Sequence, residues 1–304
     1  MSNTPATFKA FEYTNFGDVL QEMKLNTQVA QKPLNPAEVR VKVISAAVNP
    51  LDYKLVALGA AMLPVAPTVE NPFRLGFDMA GVVTDVGSGD VRGLKVGDSV
   101  FAMPYLDGPG SYGEYINVDA NYQALVTLGN LQAGQRVLIL GGGCATGMFG
   151  IQIAKALGAE VITTASTRNV ELVKSLGADQ VIEYTTQKWG DILAEHSVDL
   201  IYDCGMEPES WATNAQKILK QTTGIFVTIA MPQTPAESSI GATFKQLFNM
   251  PAAENLQKLS ELIEAGQIKT VIDSEYPLEK LEDAIKLQQS NKARGKIIIE
   301  VAAE

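Results

Sequence analysis

A glycine-rich turn after an apolar run holds the residues of this chain best suited to binding a phosphorylated ligand. Val137–Leu140 is predicted to be a buried parallel strand, and an amphipathic helical pattern follows the turn. The candidate residues of the turn are Gly142, Gly143, Cys144, Ala145, Thr146 and Gly147. N–H groups in the first turn of a helix have no partner inside the helix and lie at the positive end of its dipole. The turn therefore predicts a dinucleotide site, with an ordinary strand-to-helix turn as the alternative.

The residues after the next apolar run indicate which dinucleotide would be bound. A site for NAD usually has an acidic residue about twenty positions further on, which binds the ribose hydroxyls. This chain has Ser166 and Arg168 there instead, and Tyr184 follows the next strand-like run. A hydroxyl and a guanidinium favour a 2′-phosphate. We therefore expect NADPH, with a solvated arginine at a helix start as the alternative for Arg168.

Apolar runs and helical patterns alternate after the glycine-rich turn and predict an α/β domain. The strand-like runs are Val161–Thr164, Val181–Ile182, Val198–Tyr202 and Ile225–Ile229, and the helical patterns are Val170–Leu176 and Trp211–Leu219. Such alternation predicts a doubly wound parallel sheet, with ligands beyond the carboxyl ends of its strands. Cys204 and Ile229 lie at two such ends and are candidates for contact with a nicotinamide. Plain strand-exit loops are the alternative at both positions.

The first third of the chain has short apolar runs separated by turns rich in glycine and proline. The runs are Phe8–Tyr13, Met23–Leu25, Val39–Ala46, Met79–Val86, Asp98–Met103 and Gly113–Val118. This pattern predicts an antiparallel β domain that is partly barrel-like. The last part of the chain adds a helical pattern at Pro277–Gln288 and a strand at Gly295–Val301. A chain of 304 residues is long enough for two domains.

Composition argues against several classes of function. The formal net charge is −10, whereas proteins that bind nucleic acid usually present a basic face. No apolar segment has the length of a membrane span, and the first residues show no signal-peptide core. Two cysteines, Cys144 and Cys204, cannot build a disulfide framework. We therefore expect a cytoplasmic protein without a nucleic-acid or membrane partner.

Metal-dependent and triad-based mechanisms are not expected either. Zinc sites need a cluster of Cys, His and carboxylate ligands, and the chain has one histidine, His196. A lone histidine before a strand-like run is expected to be a surface residue. No Ser-His-Asp triad or Cys-His pair can be built around it. The reaction must therefore depend on the bound cofactor, with the protein supplying position and electrostatics.

Several motifs resemble those of the medium-chain dehydrogenase/reductase superfamily, in its zinc-free quinone oxidoreductase and enone reductase branch. They are Ala46–Lys54, Leu75–Val83, Val96–Val100, Gly110–Tyr115, Ser175–Asp179 and Ala293–Lys296. The resemblance extends over nearly the whole chain. It implies an α/β protein with two domains. These are a GroES-like β-rich catalytic domain, residues 1–121 and 266–304, and a Rossmann-type doubly wound parallel-sheet domain that binds NADPH, residues 122–265.

The resemblance also implies an activity, namely NADPH-dependent reduction of a quinone or an α,β-unsaturated carbonyl compound by a homodimer. The implied catalytic residues are Asn49, Tyr53 and Lys54, with Tyr53 as the candidate proton donor and Lys54 offsetting negative charge. Lys296 is implied to contact the cofactor. The alternative for this segment is a surface ion pair between Asp52 and Lys54, with Tyr53 as a packing residue and water as the proton donor.

Two departures from the family pattern leave other functions open. The family's turn normally has glycine where this chain has Cys144 and Ala145, whose Cβ atoms would crowd a pyrophosphate or change the backbone path. A connection normally found after the catalytic domain is reduced to Asn121, and the region Pro232–Pro251 is short. The alternatives are an NADPH-binding scaffold or regulatory protein with little reductase activity, and a reductase of acyl thioesters.

Overall fold

The chain folds into strands with alternating burial and helices with one apolar face. The computed structural model describes residues 4–63, 65–104, 110–119, 130–230, 234–247 and 253–302. The strands are β1 (Thr7–Tyr13), β2 (Lys24–Ala30), β3 (Glu38–Val48), β4 (Phe73–Arg74), β5 (Met79–Val86), β6 (Ser99–Ala102), β7 (Tyr115–Asp119), β8 (Arg136–Leu140), β9 (Glu160–Ala165), β10 (Gln180–Glu183), β11 (Leu200–Asp203), β12 (Ile225–Thr228), β13 (Thr243–Gln246), β14 (Ile272–Pro277) and β15 (Lys296–Glu300). The helices are α1 (Val19–Glu22), α2 (Pro50–Met62), α3 (Ala145–Ala156), α4 (Val170–Ser175), α5 (Trp189–Ile192), α6 (Asn214–Ile218), α7 (Ala253–Glu264) and α8 (Leu281–Gln289). The chain divides into two units, Met1–Tyr122 with Ile272–Glu304, and Gln123–Val271.

The first unit is rich in β-structure, as its short apolar runs predict. One sheet has the order β2-β1-β4 and the other the order β14-β15-β3-β5-β6, with β7 also paired to β3. Its strand pairs are antiparallel except β14 and β15, which are parallel. Alternate residues of β3, namely Val39, Val41 and Val43, are buried in one core with the apolar faces of α2 and α8.

The second unit contains a parallel sheet in the order β10-β9-β8-β11-β12-β13. In chain order, the strands start at the central β8 and continue outward through β9 to β10. The chain then returns to the other side of β8 and continues outward from β11 through β12 to β13, which is the Rossmann arrangement. Val137 and Ile139 of β8 pack into one apolar layer, and Leu138 and Leu140 pack into the opposite one. The predicted doubly wound sheet is confirmed, and β8 and β11 flank the point at which the strand order reverses.

Some predicted bounds in the second unit are wrong. The helix predicted at Trp211–Leu219 is a 3-10 turn, Pro208–Ala212, followed by α6, because Thr213 between them has a non-helical backbone with φ −125° and ψ −102°. Strand β11 begins at Leu200, since Val198 makes only a single bridge. Strand β12 ends at Thr228, so the residue after it lies in a loop.

Edge strands are the elements that the periodicity predicts least well. The pattern predicts Met23–Leu25, whereas β2 continues to Ala30, and all but one of its residues are exposed. Strands β13 and β14 lie outside the predicted runs and contain no fully buried residue. The connection at Asn121 lies outside the described residues, as do residues 231–233 and 248–252 around Pro232–Pro251.

The helices bury one face and expose the other. The pattern at Pro277–Gln288 forms a 3-10 turn, Leu278–Lys280, and then α8, in which Leu281 and Ile285 are fully buried. On the outer face of α8, Lys286 lies 3.9 Å from Glu282. Within the described ranges, no helix combines the length and the apolar character that crossing a membrane would require.

Candidate active site

The glycine-rich turn after β8 brings the start of α3 against the strand. Gly141 has φ +78°, in the left-handed region that favours glycine. A Cβ on Gly147, in the first turn of α3, would meet the carbonyl oxygen of Gly141 and lie 2.7 Å from the Cα of Gly142. Helix α3 therefore begins directly on the backbone of the turn, as the helix of a dinucleotide-binding turn does.

Cys144, at one of the family's glycine positions, caps this helix. Its backbone is extended, with φ −88° and ψ 160°, and its Sγ accepts a hydrogen bond from the N–H of Gly147 at 3.3 Å. The thiol in turn donates to the carbonyl oxygen of Cys204, 3.7 Å away. Helix α3 starts at the next residue, Ala145. The side chain at this position therefore serves the helix start, and the backbone still makes the tight turn.

The end of β9 is held beside the turn. The N–H groups of Gly141 and Gly142 donate to Thr164, the first to its Oγ1 and the second to its carbonyl oxygen, both at 2.9 Å. A Cβ on Gly142 would meet Oγ1 of Thr163, so there is no room for a side chain here. The turn and the end of β9 thus form one edge, along which a dinucleotide could lie.

The residues predicted to select NADPH follow β9. Ser166 is half-buried, and Arg168 is exposed on the 3-10 turn Thr167–Asn169. Asn169 is buried against Gly143, because a Cβ on that glycine would meet its Nδ2. Tyr184, after β10, is 57% exposed. The structure therefore places Asn169, the residue after Arg168, against the turn, and leaves Tyr184 at the surface.

The carboxyl end of β11 is organised by Asp203, whose side chain is fully buried. It accepts hydrogen bonds from Oγ1 of Thr228 at 2.7 Å and from the N–H of Glu207 at 3.0 Å. Burial raises the pKa of Asp203, and burial together with the charge of Asp203 raises the pKa of Glu207. Cys204 is buried, and the N–H of Ile229 donates to the carbonyl oxygen of Asp203 at 3.2 Å. The two predicted nicotinamide-side residues thus lie next to Asp203, Cys204 by sequence and Ile229 by a backbone hydrogen bond.

Thr228→Val is expected to lower the free energy of unfolding by about 1–3 kcal/mol, because Asp203 loses its buried hydroxyl donor. The same hydroxyl accepts from the N–H of Ala230 at 3.0 Å, which also loses its partner. Urea-induced unfolding measures the effect. The matched control is Thr243→Val, an exposed threonine on β13, and we expect it to change stability by less than about 0.5 kcal/mol. Equal effects of the two substitutions would contradict the assigned role.

Three polar side chains meet in the other unit, where α2, β5 and β15 begin. Nζ of Lys296 donates to Oδ1 of Asn49 at 2.7 Å and lies 3.4 Å from Oδ2 of Asp78. Nδ2 of Asn49 donates to the same Asp78 oxygen at 2.9 Å. Oδ1 of Asp78 accepts from the N–H of Ala47 at 2.7 Å. The structure thus joins Asn49, implied to be catalytic, to Lys296, implied to contact the cofactor.

Asp52 is fully buried, so the alternative of a surface ion pair with Lys54 is wrong. Its carboxyl oxygens accept from the hydroxyl of Tyr112 at 2.6 Å, the N–H of Asn49 at 2.7 Å and the N–H of Gly76 at 3.1 Å. Burial raises the pKa of Asp52 to about 7, although these hydrogen bonds favour the charged form. Burial and the neighbouring carboxylate raise the pKa of Tyr112 well above its ordinary value. Asp52 therefore anchors the start of α2.

Tyr53 and Lys54 lie in the first turns of α2 and are both half-buried. The ring of Tyr53 packs against the core of its unit. Asn49 precedes the helix as its N-cap, with an extended backbone of φ −126° and ψ 154°. The part of Tyr53 and Lys54 in catalysis stays a prediction.

The sequence pattern does not single out Asp78 or Tyr112 as site residues. Asp78 and Tyr112 lie within Leu75–Val83 and Gly110–Tyr115, two of the motifs that carry the family resemblance. These two residues could therefore have been found from their position within a family motif. For Asp203 the signal was its place at the end of a predicted central strand.

The described parts of the chain contain no group of three or more His, Cys, Asp or Glu side chains arranged to hold a metal ion. His196 is half-buried, and its Nδ1 lies 2.8 Å from the carbonyl oxygen of Leu219. This ring therefore belongs to the packing of the second unit and not to the site around the glycine turn.

Comparison with known proteins agrees with this architecture. Residues 35–158 match the family described as the alcohol dehydrogenase GroES-like domain, and residues 176–299 match the family described as zinc-binding dehydrogenase. The 2-methylene-furan-3-one reductase of Solanum lycopersicum is 32% identical over 329 residues, covering 97% of this chain and 79% of the relative. The chloroplastic NADPH-dependent alkenal/one oxidoreductase of Arabidopsis thaliana is 31% identical over 332 residues, covering 98% and 81%. Both alignments are longer than the 304 residues of the chain, so the relatives contain residues that this chain lacks.

Solved structures give the same result. The structure of the quinone oxidoreductase from Coxiella burnetii has a TM-score of 0.82 and 25% sequence identity, and covers 97% of this chain and 99% of that one. A Rossmann-type sheet with a glycine turn, in one chain with a GroES-like β-rich unit, defines a dehydrogenase or reductase. The chain belongs to the medium-chain dehydrogenase/reductase superfamily of oxidoreductases, in its quinone oxidoreductase and enone reductase branch. The predicted family and fold class are confirmed.

Proposed function

We propose that this chain uses NADPH to reduce a small molecule, either a quinone or an α,β-unsaturated carbonyl compound. The glycine turn carries the proposal, because Gly141 and Gly147 let α3 start directly against the end of β8. A helix start of this kind is suited to a pyrophosphate. Relatives support the choice of cofactor and acceptor, since one is named as an NADPH-dependent alkenal/one oxidoreductase and another as a 2-methylene-furan-3-one reductase.

The residues around the turn fit this cofactor. The pyrophosphate would lie against Gly142, Gly143, Cys144, Ala145, Thr146 and Gly147. The hydroxyl of Ser166 and the guanidinium of Arg168 would bind the 2′-phosphate, and Tyr184 would border the same end. Cys204 and Ile229 would lie beside the nicotinamide. When bound, NADPH supplies the hydride.

Tyr53 and Lys54 are proposed to act on the acceptor, and Asn49 is proposed to belong to the same side of the site. Reduction places negative charge on the acceptor's oxygen, and the ammonium of Lys54 offsets that charge. The hydroxyl of Tyr53 is proposed to donate a proton to the reduced acceptor. Tyr53 and Lys54 lie in the first turns of α2, and the buried Asp52 holds the start of this helix in place.

The test is NADPH and NADH oxidation, followed optically against a panel of quinones and small enones, with direct binding of both cofactors measured in parallel. Turnover with NADPH well above turnover with NADH is the expected result. Tight NADPH binding without turnover on any acceptor would contradict the proposal and favour a scaffold or regulatory protein. Turnover restricted to acyl thioesters would favour a reductase of acyl thioesters.

Arg168→Ala is expected to weaken NADPH binding by about 10–100-fold, because a charge-assisted hydrogen bond to phosphate contributes about 1.5–3 kcal/mol. Binding of NADH, which has no 2′-phosphate, should change little. Fluorescence titration with each cofactor measures both constants. The control is Lys174→Ala, an exposed cation on α4 paired with Glu171, which should leave both constants unchanged. An equal loss for NADPH and NADH would show that Arg168 does not read the 2′-phosphate.

The assembly is proposed to be a cytoplasmic homodimer. Strand β13 ends the parallel sheet, and its outer edge pairs with no other strand in the described part of the chain. Such an edge can pair with the same strand of a second copy. Cys144 and Cys204 are both free thiols, which suits a reducing compartment. Light scattering should give twice the mass of one chain, and the mass of a single chain would contradict the dimer. Microscopy of the tagged chain should show cytoplasmic signal, and signal in an organelle would contradict the proposed location.

A further inference from the structure

Lys296, Asn49 and Asp78 form a hydrogen-bonded cluster, and the N–H donors that a ligand could still use can be counted for Asn49 and Lys296. We propose that Nζ of Lys296, held by Asn49 and Asp78, binds the oxygen atom of the acceptor's carbonyl group or quinone ring. This inference rests on the proposed function, since it names the group that contacts the acceptor in that reaction. It differs from what the family resemblance implies, in which Asn49 acts on the acceptor and Lys296 contacts the cofactor.

The Asn49 amide has no hydrogen left for an acceptor. Nδ2 carries two hydrogens, one donated to Oδ2 of Asp78 at 2.9 Å and the other to the carbonyl oxygen of Ala47 at 3.1 Å. Turning the amide over would set Nδ2 against the Lys296 ammonium and Oδ1 against the Asp78 carboxylate, so its partners fix its orientation. Asn49 is therefore a positioning residue for Lys296.

Lys296 has the donor that Asn49 lacks. An ammonium carries three N–H groups, and within the described ranges its hydrogen bonds are to Oδ1 of Asn49 and Oδ2 of Asp78. One donor is thus available for a ligand. The Lys296 side chain is 18% exposed, so its charge is partly shielded from water while its end can still be reached. A partly desolvated ammonium binds an oxyanion more strongly than a fully hydrated one does.

The cluster is rigid because each member lies at the end of a regular element. Lys296 is the first residue of β15, and its neighbour Ile297 pairs with Val48 of β3, directly before Asn49. Asp78 immediately precedes β5, and its Oδ1 is fixed by a backbone N–H. A donor held in this way needs little reorganisation when charge develops on its ligand.

The proposed contact acts where the reaction creates charge. Hydride addition to the β-carbon of an enone, or to a quinone ring, forms a C–H bond and moves an electron pair onto the acceptor's oxygen. The oxyanion is stabilised by the hydrogen bond from Nζ of Lys296. A proton from water or from Tyr53 then completes the two-electron reduction, and NADP⁺ is the oxidised product. Lys296 gives up no proton in this scheme and acts by charge and hydrogen bonding.

Lys296→Met tests the contact kinetically. We expect kcat/KM for the enone or quinone to fall about 100–1000-fold, as when an oxyanion donor is removed, while the dissociation constant of NADPH changes less than about twofold. Lys292→Met, an exposed lysine four positions earlier, is the matched control and should change neither quantity. Lys296→Arg should recover part of the activity. A matching loss of NADPH affinity would assign Lys296 to the cofactor and overturn the proposal, as would unchanged kcat/KM.

A binding experiment that needs no turnover separates this inference from the proposed function. 4-Nitrophenol serves as an oxyanion probe, because its phenolate absorbs visible light and its phenol does not. In buffer that keeps free probe mostly protonated, the unmodified protein should convert bound probe to phenolate, Lys296→Arg should do so partly, and Lys296→Met and Lys296→Gln should not. A Lys296-dependent signal without turnover on any acceptor would keep the inference and refute the reductase. Turnover without this signal would keep the reductase and overturn the inference. Circular dichroism checks that each variant folds.

Discussion

Gly147→Ala is expected to lower the free energy of unfolding by about 2–4 kcal/mol and to weaken NADPH binding at least about tenfold. The new methyl group would meet the carbonyl oxygen of Gly141 and lie 2.7 Å from the Cα of Gly142. Both neighbours are backbone atoms of the tight turn, so neither can rotate away as a side chain could. Relief requires α3 to move off β8, and this displaces the N–H groups proposed to bind the pyrophosphate. Urea-induced unfolding and fluorescence titration with NADPH measure the two effects.

The control for this substitution lies one turn further along the same helix. A Cβ on Gly150 would lie 3.4 Å from the ring of Tyr202 and 3.5 Å from Cδ1 of Ile139, which are ordinary contacts. Gly150→Ala should therefore be neutral or stabilising by up to about 1 kcal/mol, since alanine is the better helix former. A stable Gly147→Ala variant that binds NADPH normally would show that close packing of α3 on the turn is not required.

The glycine turn and the parallel sheet could be predicted because their signals are local. The strand, the turn and the helix that form the site follow one another between Val137 and Ala156. Burial on both faces makes β8 a continuous apolar run, and the alternation of such runs with helices fixes a parallel sheet. The carboxyl ends of β8, β11 and β12 then coincide, since Leu140 pairs with Asp203 and Asp203 with Thr228. The placement of Cys204 and Ile229 beside one another follows from this register.

The polar contacts of the first unit could not be predicted because their partners are distant in sequence. Lys296 and Asn49 are 247 positions apart, and Asp52 and Tyr112 are 60 positions apart. From the sequence alone, Asp52 beside Lys54 on a helix resembles a solvated charged pair. The structure buries it because Tyr112 and Gly76 supply donors that replace water. The edge strands β13 and β14 could not be predicted for a different reason. They bury too few side chains to produce an alternating hydrophobic pattern.

The buried carboxyl group of Asp52 should make the chain less stable as the pH rises from about 4 to about 7. The pKa of an unperturbed aspartate is 3.8 and that of Asp52 in the folded chain is about 7, so the folded state holds a proton that the unfolded state releases. The resulting stabilisation is fully present below the unfolded pKa and is lost as the pH passes the folded pKa. Between pH 5 and pH 8 we expect a loss of about 2–3 kcal/mol from this group, at about 1.4 kcal/mol per pKa unit.

Asp52→Asn isolates this contribution, because the difference between variant and unmodified protein cancels the titration of other groups, including Asp203 and Glu207. At pH 5 the variant should be the less stable by about 1–3 kcal/mol, since an amide cannot accept from all three donors around it. The difference should shrink or change sign by pH 8, when the unmodified carboxyl group is ionised in its buried position. Asp90→Asn, an exposed aspartate in the same unit, should show no pH-dependent difference. Parallel curves for Asp52→Asn and the unmodified chain would mean that Asp52 is ionised throughout this range, and that its three hydrogen bonds outweigh the cost of burying the charge.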